Sequence, residues 1–271
     1  MLNQTMNEKS LISIAQVTDT HLLASENQRL EGILTTESFL AVMKRLEELK
    51  PELDLLLMTG DLSGDATPES YENLQHYLNS LQIATYWLPG NHDSAIAMDT
   101  ILNLGMVSRR KSFQRGNWHF ILLNSCVPEC VHGYLSANTL DWLDSELQTS
   151  ANNPTLIALH HAPVSVNSTW LDDSCLQNSP EFFAIVNRYP QVKLVLFGHI
   201  HQEFQHQSHN VHYLGTPSTC YQFQPGSPNY VVSDELPGFR LLKLYSDGTW
   251  ETKIERVAYP LPIESVATVL Y

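Results

Sequence analysis

Residues 192–201 read Val-Lys-Leu-Val-Leu-Phe-Gly-His-Ile-His, an apolar run that stops at a glycine and passes at once into two histidines. The run has the length and the Val/Leu/Phe content of a strand, and the glycine suits a tight turn out of it. Four other runs end in the same manner. Leu11–Val17 leads to Asp19-Thr20-His21, and Leu53–Met58 leads to Gly60-Asp61. Ile83–Leu88 leads to Gly90-Asn91-His92-Asp93, and Leu156–Leu159 leads to His160-His161. His119–Leu123 is a sixth apolar run.

Helical patterns lie between these runs. Ser38–Leu49 places Leu40, Met43, Leu46 and Leu49 at helical spacing and is stopped by Pro51. Pro68–Leu81 starts on a first-turn proline, with Leu74, Leu78 and Leu81 on one face. Ser136 is placed to cap a helix carrying Leu140, Leu143 and Leu147. Strand–helix alternation predicts an α/β sandwich. No repeat or long linker interrupts it, so residues 1–271 are expected to form one domain. In the tail, Val211–Leu214, Tyr230–Ser233, Phe239–Tyr245 and Thr249–Val257 read as strands, with a hairpin turn at Asp247-Gly248. These strands (about 211–257) are expected to complete a second sheet.

In α/β sheets, ligands bind beyond the carboxyl ends of the strands. Five such ends would bring imidazoles, two carboxylates and an Asn carboxamide to one rim. Gly60, Gly90 and Gly198 suit the sharp turns there. His199 and His201 would point the same way if their backbone stays extended. Imidazole with carboxylate and amide oxygen, and no thiolate, suits a divalent first-row metal such as manganese, iron or zinc. Each motif alone has a plainer reading, as a turn or a buried strand-end histidine. Their order and shared strand-end placement make coincidence a poor account.

Composition narrows the partners. The 271 residues carry a formal charge of −14. So acidic a chain repels nucleic acid and anionic lipid. An anionic substrate would need a local positive charge, which bound metal supplies. Met1–Ser10 is polar and lacks the apolar stretch of a signal peptide. With Cys126, Cys130, Cys175 and Cys220 too few for a disulfide scaffold, a reduced cytoplasmic protein is expected.

Asp-x-His, Gly-Asp, Gly-Asn-His-Asp, His and Gly-His-x-His, running from Asp19 to His201, together resemble the calcineurin-like metallophosphoesterase pattern. The residues around them (16–22, 87–93, 198–203 and 216–220) resemble the branch of bacterial class III 3′,5′-cyclic-AMP phosphodiesterases. The resemblance implies a four-layer α/β/β/α sandwich of two mixed sheets flanked by helices. It also implies two divalent metals, iron or manganese with zinc as the alternative, and hydrolysis of cyclic AMP to 5′-AMP by a metal-bridging hydroxide. Asp19, His21 and His201 would hold one metal. Asn91, His160 and His199 would hold the other, with Asp61 bridging both. His160 is chosen over His161 because it directly follows the apolar strand, as the family's ligand does. His92 would protonate the leaving oxygen, with Asp61 sharing the catalytic role through its bridge. His21, Asp61, Asn91, His92, His161 and His201 would face the substrate, and Asp93 would either orient His92 or serve the turn.

Other classes fit less well. Protein phosphatases of this type continue Gly-Asp with Asp-Arg, whereas Gly60-Asp61-Leu62-Ser63-Gly64-Asp65-Ala66 has no arginine. A different phosphodiester or a phosphomonoester is the alternative substrate, and a non-catalytic metal- or nucleotide-binding regulator is the reading from another class. His76, His119, His132, His206, His209 and His212 are expected to be surface or strand residues. Cys126-x-x-x-Cys130 lacks the second pair of a zinc site. Trp170-Leu171-Asp172 lies where a substrate-facing loop falls, with base recognition as its possible use.

Overall fold

The structure, a computed structural model, describes residues 11–259. Met1–Ser10 and the last twelve positions of the expected domain lie outside the described residues. Twelve strands build the two large sheets: β1 Leu11–Val17, β2 Leu55–Thr59, β3 Ala84–Leu88, β4 Val107–Ser108, β5 Ser112–Arg115, β6 Trp118–Leu122, β7 Thr155–Ala158, β8 Val192–Phe197, β9 Phe204–Ser208, β10 Val211–Gly215, β11 Gly238–Tyr245 and β12 Trp250–Arg256. The first sheet has the order β12-β11-β1-β2-β3-β4 and the second β9-β10-β8-β7-β6-β5. Both are mixed. The parallel centres β1–β4 and β6-β7-β8-β10 carry antiparallel strands at their flanks.

Strand alternation sorts the core into three apolar layers. Ile12, Ile14, Leu55 and Leu57 of the first sheet meet Leu156, Ala158, Leu194 and Leu196 of the second between the sheets. On the outer face of the first sheet, Ala15, Val17, Leu56 and Met58 pack under α1 (Thr35–Leu49), α2 (Pro68–Leu81) and α3 (Ala95–Ile101). On the outer face of the second, Ile157, Leu159, Val195 and Phe197 pack under α4 (Ala137–Thr149) and α5 (Ser179–Val186). The result is the expected four-layer sandwich.

The caps follow local chemistry. Thr67 accepts from Ser70 N ahead of α2, and the Ser136 hydroxyl accepts from Thr139 N ahead of α4 at 3.1 Å. In α1 the buried face is carried by Phe39, Val42, Met43 and Leu46, while Leu40, expected on it, is 41% exposed.

The tail divides between the sheets, which corrects the expectation that all its strands complete the second one. Only β9 and β10 extend the second sheet. β11 pairs antiparallel with β1, Leu11 opposite Tyr245 and Gln16 opposite Arg240, and carries β12 on its far side. The open edge of β1 offered backbone groups to pair, and Leu242 and Leu244 join the inter-sheet layer from there. The expected strand at 230–233 is reduced to Val232–Ser233, paired with Gln222–Phe223 outside either large sheet. Gly248, at φ 83°, makes the anticipated hairpin turn.

Leu57 is fully buried between the sheets. Leu57→Ala is expected to cost about 2–5 kcal/mol of stability, read as a lowered urea midpoint. An unchanged midpoint would contradict the central packing layer.

Candidate metal centre

The carboxyl ends of β1, β2 and β3 deliver Asp19, His21, Asp61, Asn91 and His92 from the first sheet. Those of β7 and β8 deliver His160, His199 and His201 from the second. The loops are tied to one another directly. Asp19 N donates to Gly60 O and His21 N to Asp61 O, at 2.9 and 3.0 Å. The Asp19 carboxylate crosses to the other sheet and accepts from His199 N at 3.1–3.2 Å.

Donor atoms converge in four overlapping groups: Asp19, His21 and His201; Asp19, Asp61 and His160; His21, Asp61 and His92; and His160, His161 and His199. Asp61 Oδ2 lies 3.3 Å from His160 Nε2 and 3.9 Å from His21 Nε2. Asp19 Oδ1 lies 3.2 Å from His201 Nε2 and 3.9 Å from His160 Nε2. Asp19 and Asp61 thus each stand between two imidazoles, where a shared ligand would be needed.

Partners on the far side of each ring decide which nitrogen is free. A carbonyl can only accept, so His160 Nδ1–H donates to Thr59 O at 2.9 Å and His201 Nδ1–H donates to Tyr221 O at 2.8 Å. When these rings are neutral, their Nε2 lone pairs face carboxylate oxygens, an arrangement that is repulsive unless a cation lies between. At His199, the Ser174 hydroxyl donates to Leu171 O and so accepts from Nε2–H at 2.9 Å, leaving Nδ1 as the lone pair. His160 Nε2, Asn91 Oδ1 and His21 Nδ1 are buried with no hydrogen-bond partner among the described residues. These donors fit divalent cations on the chemistry of their own atoms.

The electrostatics agree. Burial, the largest influence, pushes His21 and His199 down to about 3, so both rings stay neutral. For His160 burial again opposes charge, but Asp61 and then Asp19 carry its pKa up to about 9. A proton there occupies the role a metal would take. Burial opposes ionisation of Asp61, yet His160 and His92 outweigh it and hold the carboxyl well below the usual range.

His161 belongs to the same cluster. It is fully buried, with Nδ1 2.8 Å from the Ser125 hydroxyl and Nε2 3.0 Å from Val131 O. Its ligand atom lies within 4.8 Å of those of His160 and His199, while both its nitrogens have polar partners behind them. His92 is exposed at the mouth, its ring edge-on to His21 at 5.1 Å and its backbone N donating to Asp61 Oδ1 at 2.9 Å. Asp93 does not orient that imidazole. Its carboxylate accepts from Leu62 N, Ser63 N, Gly90 N and the Tyr71 hydroxyl, locking the Asp61 loop to the Asn91 loop.

Strand alternation is not what places His199 and His201, because both residues are in the left-handed region, at φ 67° and 48°. Asp19, His21 and Asp61 share that conformation, at φ 53°, 44° and 50°. Gly60 is a true left-handed turn at φ 94°. Gly90 and Gly198 serve differently: a Cβ at Gly90 would collide with Asp61 Oδ1, and one at Gly198 with Thr18 Oγ1. Ser174, Ser125, Thr59 and Tyr221 escaped the sequence reading; the last two act through backbone carbonyls, which leave no residue signal.

The remaining histidines are as expected. His76, His206 and His209 are exposed, His132 and His212 half-buried, and His119 is a strand residue held by Ser112 and Ser150. Trp170 sits on a helical turn, Thr169–Asp172, against Phe223 and Tyr230.

Comparison with known proteins agrees with this geometry. The profile of the calcineurin-like phosphoesterases matches residues 12–203. The chain is 80% identical over 266 residues, 98% of its length and 100% of the relative's, to the 3′,5′-cyclic-nucleotide phosphodiesterase alr5338 of Nostoc sp. strain PCC 7120. It is 36% identical over 259 residues, 95% of its length and 94% of the relative's, to the 3′,5′-cyclic adenosine monophosphate phosphodiesterase CpdA of Escherichia coli K12. A dimetal phosphatase from Danio rerio shares the fold at a TM-score of 0.63 and 13% identity, covering 91% of this chain and 99% of that one.

Gly90→Ala is expected to push Asp61 off its position and weaken metal binding about 10–100-fold, measured by competition with a chelating dye, with far-UV circular dichroism unchanged. Undiminished metal affinity would show that the close approach at Gly90 is dispensable.

Proposed function

The chain belongs to the calcineurin-like phosphoesterase family, and on that footing we propose that it is a metal-dependent phosphodiesterase hydrolysing 3′,5′-cyclic AMP to 5′-AMP. The observation that carries this reading is the overlap of the donor groups at two buried carboxylates, Asp19 and Asp61, with His92 exposed beside them. Asp19, His21 and His201 would hold one cation; Asn91, His160 and His199 the other; and Asp61 both. The donor set suits iron or manganese, with zinc as the alternative. Bound there, two divalent cations supply positive charge to the phosphate and lower the pKa of water toward neutrality.

The chain's own residues do the rest. His21 and His199 stay neutral through burial, so their lone pairs are available to ligands at ordinary pH. Asp93 and Tyr71 hold the Asp61 and Asn91 loops in fixed relation. The oxygen of water adds to phosphorus opposite the 3′-oxygen, the P–O3′ bond breaks, and the leaving oxygen takes up a proton. His92 is the side chain placed to give that proton, because it lies at the open edge of the centre next to His21 and Asp61. The product is 5′-AMP with a free 3′-hydroxyl. The scarcity of cysteine, four in 271 residues, supports a cytoplasmic location.

Asp61→Ala is expected to lose metal and turnover together. His92→Ala is expected to retain metal by elemental analysis while kcat for cyclic AMP falls about 10²–10⁴-fold. With bis(p-nitrophenyl) phosphate, whose leaving group needs no proton, the loss is expected to be much smaller. A His92→Ala protein that is also metal-free would sink the division between ligand and acid. Chelation should abolish cyclic AMP turnover, and Mn²⁺ should restore it.

A further inference from the structure

Beside the metal donors, aromatic rings run from the centre to the surface. Phe223 lies nearly parallel to the His201 imidazole, with centroids 4.4 Å apart and planes at 18°. Trp170 meets Phe223 edge to face at 4.7 Å, and Tyr230 packs on both at 5.2 and 5.3 Å. Exposure rises outward along the row. Phe223 is 7% exposed, Trp170 is half-buried, and Tyr230 is 49% exposed. Trp170 Nε1 is buried with no acceptor among the described residues.

A structural cluster would be expected to bury its outermost ring. Here a large aromatic stays half in water, yet it is only one ring removed from a histidine that converges on Asp19. A cyclic nucleotide has the matching shape: an anionic ester at one end of a ribose and a flat π system at the other. An aromatic face stacks any base, because every base has a π face.

We propose that Trp170, Phe223 and Tyr230 form the nucleobase subsite of this phosphodiesterase, with the exposed ring of Tyr230 as the stacking surface; this rests on the cyclic-nucleotide reading above. The wall holds the base by its face. The wall's polar atoms are the buried Trp170 Nε1–H and the Tyr230 hydroxyl.

The test compares inhibition by 5′-AMP and by ribose 5-phosphate, which lacks the base, on the metal-loaded enzyme with bis(p-nitrophenyl) phosphate as reporter. Wild type should bind AMP more tightly than ribose 5-phosphate. Tyr230→Ala should raise the AMP inhibition constant about tenfold, as loss of one stacked ring does, and leave that for ribose 5-phosphate within about twofold. Tyr230→Phe, which keeps the ring, should behave as wild type. Equal inhibition by the two ligands in wild type overturns the proposal, and so does a Tyr230→Ala effect on both ligands or on neither. The underlying activity is tested separately: if the reporter is hydrolysed and cyclic AMP is not, the substrate reading falls.

Discussion

Two carboxylates, Asp19 and Asp61, are 0% and 2% exposed at the meeting of the two sheets. Burying one unpaired charge is costly, and burying two side by side is worse. Burial keeps His21 and His199 neutral while His160 has a raised pKa, so the polypeptide balances the charge only in part. Positive charge has to come from elsewhere. Backbone N–H groups and the Thr18 hydroxyl take part of the load on Asp19, and His92 N takes part on Asp61. The remaining lone pairs, on His160, His201 and Asn91, are left facing inward, where cations would satisfy them.

The fold can be understood as the frame for that arrangement. Neither sheet holds a full donor set: the first lacks His160, His199 and His201, and the second lacks both carboxylates. The layer of Ile14, Leu57, Leu156 and Leu194 fixes the sheets face to face, so that their strand ends meet at one rim. Gln16 adds a polar tie just below the centre, donating to Thr59 Oγ1 and to Phe197 O across the sheets. Five donors sit in left-handed backbone, a conformation disfavoured for residues with a Cβ by about 1–2 kcal/mol each. Six other described non-glycine residues take that conformation in separate loops, but the five at the rim are donors clustered together, which marks the place for which packing energy elsewhere is used.

Much of this was legible in the chain. The apolar runs at 11–17 and 192–197 coincide with β1 and β8, and Pro68–Leu81 is a helix with the stated bounds. Every residue of the five polar motifs falls at a strand's carboxyl end, because local patterning and strand-end placement are both short-range properties. What failed was long-range. Nothing local in Phe239–Tyr245 says whether it pairs with the second sheet or with β1, more than two hundred residues earlier. His160 and His161 are adjacent and alike in sequence. Only the carbonyls of Thr59 and Val131, brought in by tertiary packing, separate a free lone pair from a satisfied ring. Phe223 and Tyr230 had no signal beyond being aromatic; only the fold lays Phe223 on His201 and packs Tyr230 against Phe223.

The net charge of −14 and an anionic substrate are compatible only if the field reverses near the rim. Roughly, two divalent cations against two aspartates leave the centre positive before substrate arrives. That excess is short-ranged, since at physiological salt charges are screened over about 8 Å. A negative net charge disfavours a polyanion, which lays many phosphates along the surface, more than a single phosphate ester, which would meet the opposing field over a small area. The aromatic row at Phe223 and Tyr230 fits the same logic. It offers affinity that does not depend on charge, which an acidic protein can extend to the uncharged half of its substrate without weakening its discrimination against polyanions.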